Sequence, residues 1–370
     1  MTVYSLPRAA VNPDRPEVWE VASGVDALYM SGRVVIPGTV IERLQLAREV
    51  AEEAEGPVGL EFGGVDFKIL PRGLRMHKYR LEHEFGIVAF TTSQKLPAVI
   101  IQPAAEFIHR VGPMGVVKFY RNVIERETGA LELNASRLDL YIDVQGWDLS
   151  VDDRHNFVRR AIKVAGYEES ENFNGLAFGA RATNTVYSRI YDKTIEMAKK
   201  GGQYVEQTWG PTYDPSLHVR RVEFQMGRQG LRHYGIDTPE EAINSAPGLW
   251  RNLTVEWLTY RVETADSNRS RWPIAHEWQV VQEASMAHGA IGLNRMVQDH
   301  AMADLESLRP ALNGYITSVA AIKGGRFVSD TMDLVAEEVQ QYVVDTGRSF
   351  ETQVAEKLGN RSFTIPESLQ

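Results

Sequence analysis

Residues 136–144 alternate without a break: Leu138, Leu140, Ile142 and Val144 take one set of positions, and Arg137, Asp139, Tyr141 and Asp143 the other. Successive side chains of a strand point to opposite faces. The stretch therefore predicts a β-strand with an apolar face for helices to cover and an open face carrying two carboxylates. The same period of two returns at 185–193, where Tyr187, Arg189, Tyr191 and Lys193 share a face. It returns again at 219–226, where Arg221, Glu223 and Gln225 oppose Val222, Phe224 and Met226. Residues 175–180 read as the hairpin partner of 185–193, and 150–165 as a helix between them and the first strand. Upstream, 25–36, 58–70, 86–93 and 98–102 predict strands, 39–55 an amphipathic helix, and 103–128 a longer helix. From Pro239 the period changes to that of helices, expected over 240–265, 277–287, 293–322, 330–344 and 350–358. Breaks fall at 289–292, at Gly324 and Gly325, and at Gly347. Trp250, Trp257, Trp272 and Trp278 gather around the first of these helices and read as packing where the helical part meets the mixed part.

This pattern predicts an α+β chain in three parts: an α+β half over 1–110, a second over 111–238, and a helical region over 239–370. Composition narrows its chemistry. None of the 370 residues is cysteine, which excludes disulfides, thiolate catalysis and cysteine-held zinc or iron–sulfur centres. No stretch approaches the roughly 18 apolar residues of a membrane span, so the expectation is a cytoplasmic protein without a membrane partner. The net charge of −9 argues at first against nucleic acid. The acidity is uneven, however. Residues 110–234 hold 18 Lys and Arg against 16 Asp and Glu, leaving 22 against 33 in the remainder.

The polar face of the middle strands carries the candidate chemistry. Asp139 and Asp143 are four residues apart, roughly 13 Å along a strand, so Asp139 with Glu223 across the sheet is the better pair of hard oxygen ligands. Such a pair suits Mg²⁺ or Mn²⁺, which keep several waters and take further ligands from a substrate phosphate. A plain alternative is that Arg137, Asp139, Arg221 and Glu223 only pair with one another on a solvated face. Tyr191 sits between Arg189 and Lys193, and a phenol needs nearby cations or a metal to act as a nucleophile. The chain lacks a G-x-x-x-x-G-K-[ST] loop, a G-x-S-x-G elbow, an H-E-x-x-H pair and a His-hydrophobic-His metal motif. His155, His218 and His233 read as surface or core histidines.

The order Arg137-Leu-Asp-Leu-Tyr-Ile-Asp143, Gly175-Leu-Ala-Phe-Gly-Ala-Arg181, Arg189-Ile-Tyr-Asp-Lys193 with Glu196, and Arg221-Val-Glu-Phe-Gln225 resembles the Rep_trans family of replication initiation factors. These are initiators of rolling-circle plasmids and related relaxases of conjugative elements. The stretch Leu249-Trp-Arg-Asn-Leu-Thr-Val-Glu-Trp-Leu258 is similar to the helix that follows the family's catalytic strands. The resemblance covers about residues 20–265. It implies two related palm-like sheet halves and a metal-dependent, site-specific DNA endonuclease and strand transferase. A tyrosine would attack one strand of origin DNA, form a 5′-phosphotyrosyl link and later rejoin strands. That nucleophile corresponds to Tyr191, with Tyr187 a near neighbour on the same face. Metal binding carries over to Asp139 and Glu223 with Asp143 as a third carboxylate, and phosphate contact to Arg189 and Lys193. Single-stranded or distorted origin DNA, a host DNA helicase and a homodimer are the partners it brings. Two other classes fit the same residues: a non-catalytic plasmid DNA-binding control protein, and a palm-type nucleotidyl transferase with carboxylates on neighbouring strands.

Overall fold

The computed structural model describes residues 17–169, 172–181, 185–286, 312–313, 315–347 and 349–350. Strand β1 (Trp19–Arg33) leads into helix α1 (Gly38–Glu53). A meander follows, formed by β2 (Val58–Phe62), β3 (Val65–Leu70), β4 (Tyr79–His83), β5 (Gly86–Phe90) and β6 (Val99–Pro103). Helix α2 (Ala105–Thr128) closes this half. It kinks where Gly112 adopts φ 73° ahead of Pro113, a backbone state open to glycine and a residue that cannot donate to the helix ladder.

The second half opens with β7 (Glu132–Gln145) and continues through the short β8 (Phe157–Arg159) to β9 (Val164–Glu169), β10 (Asn172–Phe178) and β11 (Val186–Asp192). Helix α3 (Lys193–Lys200), strand β12 (Arg220–Gly227) and helix α4 (Arg228–His233) complete it. All neighbours in the main sheet are antiparallel, in the order β2-β3-β4-β5-β6-β1-β7-β12-β11-β10-β9. The two halves repeat one layout. In each, the first strand lies innermost beside the last strand of that half, and the others follow outward in reverse chain order. Strands β1 and β7, the longest of the sheet, join the halves.

Helices α5 (Pro239–Asn244), α6 (Ala246–Asn252) and α7 (His276–Glu283) belong to the same unit, which runs to residue 296. Helix α5 starts on a capping box in which Thr238 and Glu241 satisfy each other's backbone N–H, worth about 1 kcal/mol. The expected apolar faces are buried: Leu138, Leu140, Ile142 and Val144 of β7 join Ile190, Val222, Phe224 and Met226 in one core with Trp250 and Trp278. The Phe224 and Trp250 rings meet edge to face at 5.4 Å, and both indoles find carbonyl acceptors, Val281 and Thr254. Tryptophan as packing at this junction is thus what the structure has.

Two predicted helices are corrected. Residues 150–165 form one 3₁₀ turn (Asp152–Asn156), then β8 and the start of β9. The predicted helix over 240–265 breaks at Ser245, continues as α6 with Pro247 in its first turn, passes through a π turn and ends as β13 (Leu258–Tyr260). The two corrections share a cause. Phe157 and Val158 pair with Tyr260 and Thr259 in a small ladder, and the buried Phe157 ring stacks against Tyr260 and Phe178. Tertiary pairing of β-branched and aromatic residues outweighs the helical period.

A second unit, 297–370, contains helical residues 315–323 and a helix over Val328–Thr346, separated at Gly324 and Gly325 as expected. The predicted elements over 287–311 and 351–358 lie outside the described residues. No described helix is long and apolar enough to cross a membrane.

Candidate active site

Register lines up the polar face of the second half in three cross-strand rows. The first holds Gly175, Tyr191, Arg221, Asp143 and Ala22; the second Ala177, Arg189, Glu223, Tyr141 and Gly24; the third Tyr187, Gln225, Asp139 and Ala27. Large polar side chains therefore fill β11, β12 and β7, while the flanking β10 and β1 carry only glycine and alanine at these positions. The face is not open, contrary to the alternation's first suggestion. Asp139, Tyr141, Asp143, Arg221 and Glu223 are all buried. The 3₁₀ segment Gln203–Thr208, Trp209 and His109 of α2 lie against it: the Trp209 indole donates to Asp143 Oδ2 at 2.8 Å, and the His109 ring meets those of Tyr141 and Tyr204.

Each buried carboxylate has its own arginine. Arg137 Nε donates to Asp139 Oδ1 at 2.7 Å, and its Nη2 donates to Oδ2. Arg189 Nη2 reaches both oxygens of Glu223, at 2.7 and 2.8 Å. Arg221 clamps Asp143 with two bonds of 2.7 Å and gives a third, of 2.6 Å, to Asp26. Asp26 reaches that position because a bulge between Val25 and Ala27 leaves it without a register partner. Ion pairing on this face was one expectation; the partners are these, and the pairs are shielded rather than solvated.

Tyr191 donates its hydroxyl hydrogen to Glu223 Oε2 at 3.1 Å. The Arg189 guanidinium lies 4.8 Å from the centre of its ring and the Lys193 ammonium 5.9 Å. Lys193 does not extend the strand, as alternation suggested, but opens α3, whose N-cap Asp192 accepts from the Ile195 N–H at 2.9 Å. Its ammonium pairs with Glu196 at 2.7 Å. Burial pushes the Tyr191 phenol well above its ordinary value, the Glu223 charge adds to this, and Arg221 and Arg189 oppose it. Tyr187 shares the face but not the surroundings: its hydroxyl meets that of Tyr167 at 3.0 Å, and burial with that bond raises it to about 12.

The structure thus brings Tyr191, Arg189, Glu223 and Lys193 together, with Asp139 beside them. Asp139 is held above the usual carboxylate range, at about 7, chiefly by burial; the Arg137 bond opposes this and the Glu223 charge reinforces it. Asp139 and Glu223 are hard oxygen donors on neighbouring strands, close enough for the Glu223 charge to act on Asp139, and that is the donor type a divalent cation takes. Asp143 is drawn instead to Arg221 and Trp209, and the described residues contain no cluster of three His, Asp or Glu arranged to hold a metal. Three participants escaped the sequence reading, Asp26, His109 and Trp209, which lie far away in the chain; Arg221 was placed on this face by the alternation, but its bonds to Asp143 and Asp26 were not foreseen.

No family model matches this chain, and no curated protein sequence matches it. Among solved structures, a rolling circle replication initiator protein from Geobacillus stearothermophilus is similar over 74% of this chain and 99% of that chain, with 16% identity and a TM-score of 0.42.

Proposed function

We propose that the second half of the sheet is a DNA-nicking and rejoining site in which Tyr191 is the nucleophile. The observation that carries this reading is the Tyr191 hydroxyl bonded to a carboxylate, Glu223, among the cations Arg189, Lys193 and Arg221. A phenol so placed has an acceptor for its proton and positive charge for the phosphate it attacks. The Tyr191 oxygen bonds to phosphorus as the bond to the 3′ oxygen breaks. Its proton passes to Glu223, and the leaving oxygen takes up a proton to become a 3′-hydroxyl. The phosphotyrosyl ester keeps the energy of the broken bond, so the reverse attack reseals the strand without a nucleotide cofactor. Arg189 and Lys193 neutralise the phosphate, and Arg221, fixed by Asp26 and Asp143, holds a permanent positive charge opposite Tyr191 in the register. Asp139 and Glu223 are the residues that would hold Mg²⁺ or Mn²⁺, which when bound withdraws charge from a non-bridging phosphate oxygen.

A buried site of this kind admits a single or distorted strand of origin DNA in preference to regular duplex. The test is incubation of the protein with Mn²⁺ and single-stranded oligonucleotides from the DNA around its gene. Wild type and Tyr187→Phe should form a covalent adduct that Tyr191→Phe cannot. An adduct that survives Tyr191→Phe overturns the assignment; shifted DNA without any adduct points to a binding protein. Nucleotide incorporation that survives Tyr191→Phe and fails in Asp139→Ala points to a nucleotidyl transferase.

A further inference from the structure

The polar face does not stop at Tyr191. Its row continues through Gly175 to Tyr167 on the edge strand β9, and the row of Arg189 continues through Ala177 to Ala165. Strand spacing sets Tyr167 and Tyr191 roughly 10 Å apart, with only a glycine between them. Gly175 admits nothing larger: a Cβ there would lie 2.1 Å from the Ile190 carbonyl oxygen and 2.8 Å from Tyr191 Cα. A floor without side chains therefore separates the nucleophile from a second tyrosine.

Tyr167 is held and yet uncovered. Its hydroxyl is tied to that of Tyr187 at 3.0 Å, diagonally across the Ala177 row, while 46% of the residue remains exposed. Tyr187 is itself buried and cannot follow a swinging partner. A large ring with one end fixed by backbone and the other by a hydrogen bond, and a face left to solvent, suits a flat ligand. Arginines flank it on the same face: the partly exposed Arg189, and the exposed Arg181, whose Nε donates to Gln225 Oε1 at 3.3 Å. Aromatic faces beside backbone-neutralising cations are the elements of single-strand recognition, because every base has a π-face and every linkage a charge.

We propose that Tyr167, braced by Tyr187 beside the short floor of Gly175 and Ala177, is a stacking platform for one unpaired base of the DNA strand whose backbone lies at Tyr191. The platform rests on the reading of Tyr191 as the nucleophile and adds a requirement to it: a nucleotide flanking the scissile phosphate must be unstacked from its neighbours. Duplex DNA cannot meet that requirement without local opening. Stacking tolerates any base, so the platform contributes affinity and register, and Gln225 with Arg181 is placed to meet the base edge.

The experiment uses the oligonucleotide recovered as a covalent adduct from a random single-stranded pool, and a set of copies with one abasic nucleotide at each position. Binding by fluorescence anisotropy and adduct yield are measured for the full chain and for Tyr167→Ala and Tyr167→Phe. Tyr167→Ala should weaken binding roughly 5- to 100-fold, the range of one lost base stack, and Tyr167→Phe, which keeps the ring and loses only the bond to Tyr187, should lose clearly less. One abasic position should weaken wild type by the same factor and leave Tyr167→Ala unchanged. Equal losses in the Phe and Ala variants, or no abasic position coupled to Tyr167, overturn the platform while Tyr191-dependent adducts leave the nicking reading standing. Failure to recover any adduct or to bind single strands overturns both.

Discussion

Removing the charge of Asp143 while keeping its shape, as Asp143→Asn, tests whether the Arg221 network is a structural strut of the site. Arg221 has no solvent exposure and spends three bonds on two carboxylates, two on Asp143 and one on Asp26. An asparagine still offers an oxygen to the Trp209 indole, but its amide nitrogen then faces the Arg221 Nε, so the change removes the charge and one bond together. Breaking one side of a buried pair costs about 3–5 kcal/mol. Asp26→Asn should cost less, about 1–2 kcal/mol, because that carboxylate makes a single bond to Arg221 and its side chain is 19% exposed. At about 2–4 °C per kcal/mol for a unit of this size, Asp143→Asn should lower the melting temperature by roughly 6–20 °C and Asp26→Asn by roughly 2–8 °C. The double variant should fall short of the sum, since both residues serve one guanidinium. Scanning calorimetry at pH 7 reads all three. The pH dependence supplies a second check. Burial would raise the Asp26 carboxyl, yet Arg221 and His109 hold it far below the usual range. Its contribution is therefore complete above the unfolded value near 3.8 and shrinks as pH falls below it, so wild type and Asp26→Asn should converge in acid. Losses under 1 kcal/mol for both variants, or Asp26→Asn the more damaging, would refute the reasoning.

Gly175→Ala should reduce adduct formation by roughly 100-fold in a protein that still shows native circular dichroism, because the new Cβ displaces the Tyr191 backbone; a fully active Gly175→Ala would show that the close approach is dispensable. Asp139, raised to about 7, holds its proton more tightly in the fold than in the unfolded chain, so its contribution to stability declines as pH climbs from about 4 to about 7. Metal ligands must be deprotonated, so millimolar Mn²⁺ should raise the melting temperature at pH 8 and not at pH 5, and Asp139→Asn should abolish the rise; equal shifts at both pH values would place any bound metal elsewhere. Asp192→Ala removes the N-cap of α3 and the partner of His218 at 2.6 Å and Arg220 at 3.2 Å. A cost of about 1–2 kcal/mol is expected by chemical denaturation, with a slower adduct rate as Lys193 loosens, and an unchanged rate would separate α3 from the chemistry.

Alternation in β7, β11 and β12 made the site's sheet face legible, because a period of two assigns faces without knowledge of the partner strand. It placed Tyr191, Arg189, Glu223 and Asp139 on one side, where register brings them within reach. Apart from Arg137 and Asp139 on one strand, which carboxylate meets which arginine was not legible, since that depends on strand order: Glu223 lies opposite Arg189 only because β11 and β12 are neighbours. Asp26 could not be foreseen either. Its role depends on a bulge, which has no signature in the string Gly24-Val-Asp-Ala-Leu28. The cover on the polar face was equally hidden, for 203–209 has no regular period, yet it brings Tyr204 against His109 and Trp209 to Asp143. Over 150–165, and from Leu258 onward in the predicted helix over 240–265, the helical period misled, because Phe157–Arg159 and Leu258–Tyr260 are strands only in each other's company.

The position of β12 has a consequence for the life of the chain. It enters the sheet between β7 and β11, both synthesised before it, and it brings Arg221 back to Asp26 across 195 positions of sequence. Tyr191 precedes Arg221 and Glu223 in the chain. A partly folded chain that lacks β12 in the sheet therefore holds Tyr191 without its bond to Glu223 and without Arg221 opposite it. Long-range pairings of this kind close late, after the loop entropy has been overcome. The grouping of Tyr191 with Glu223 and Arg221 therefore waits on the entry of β12 into the sheet, and it is lost when β12 leaves.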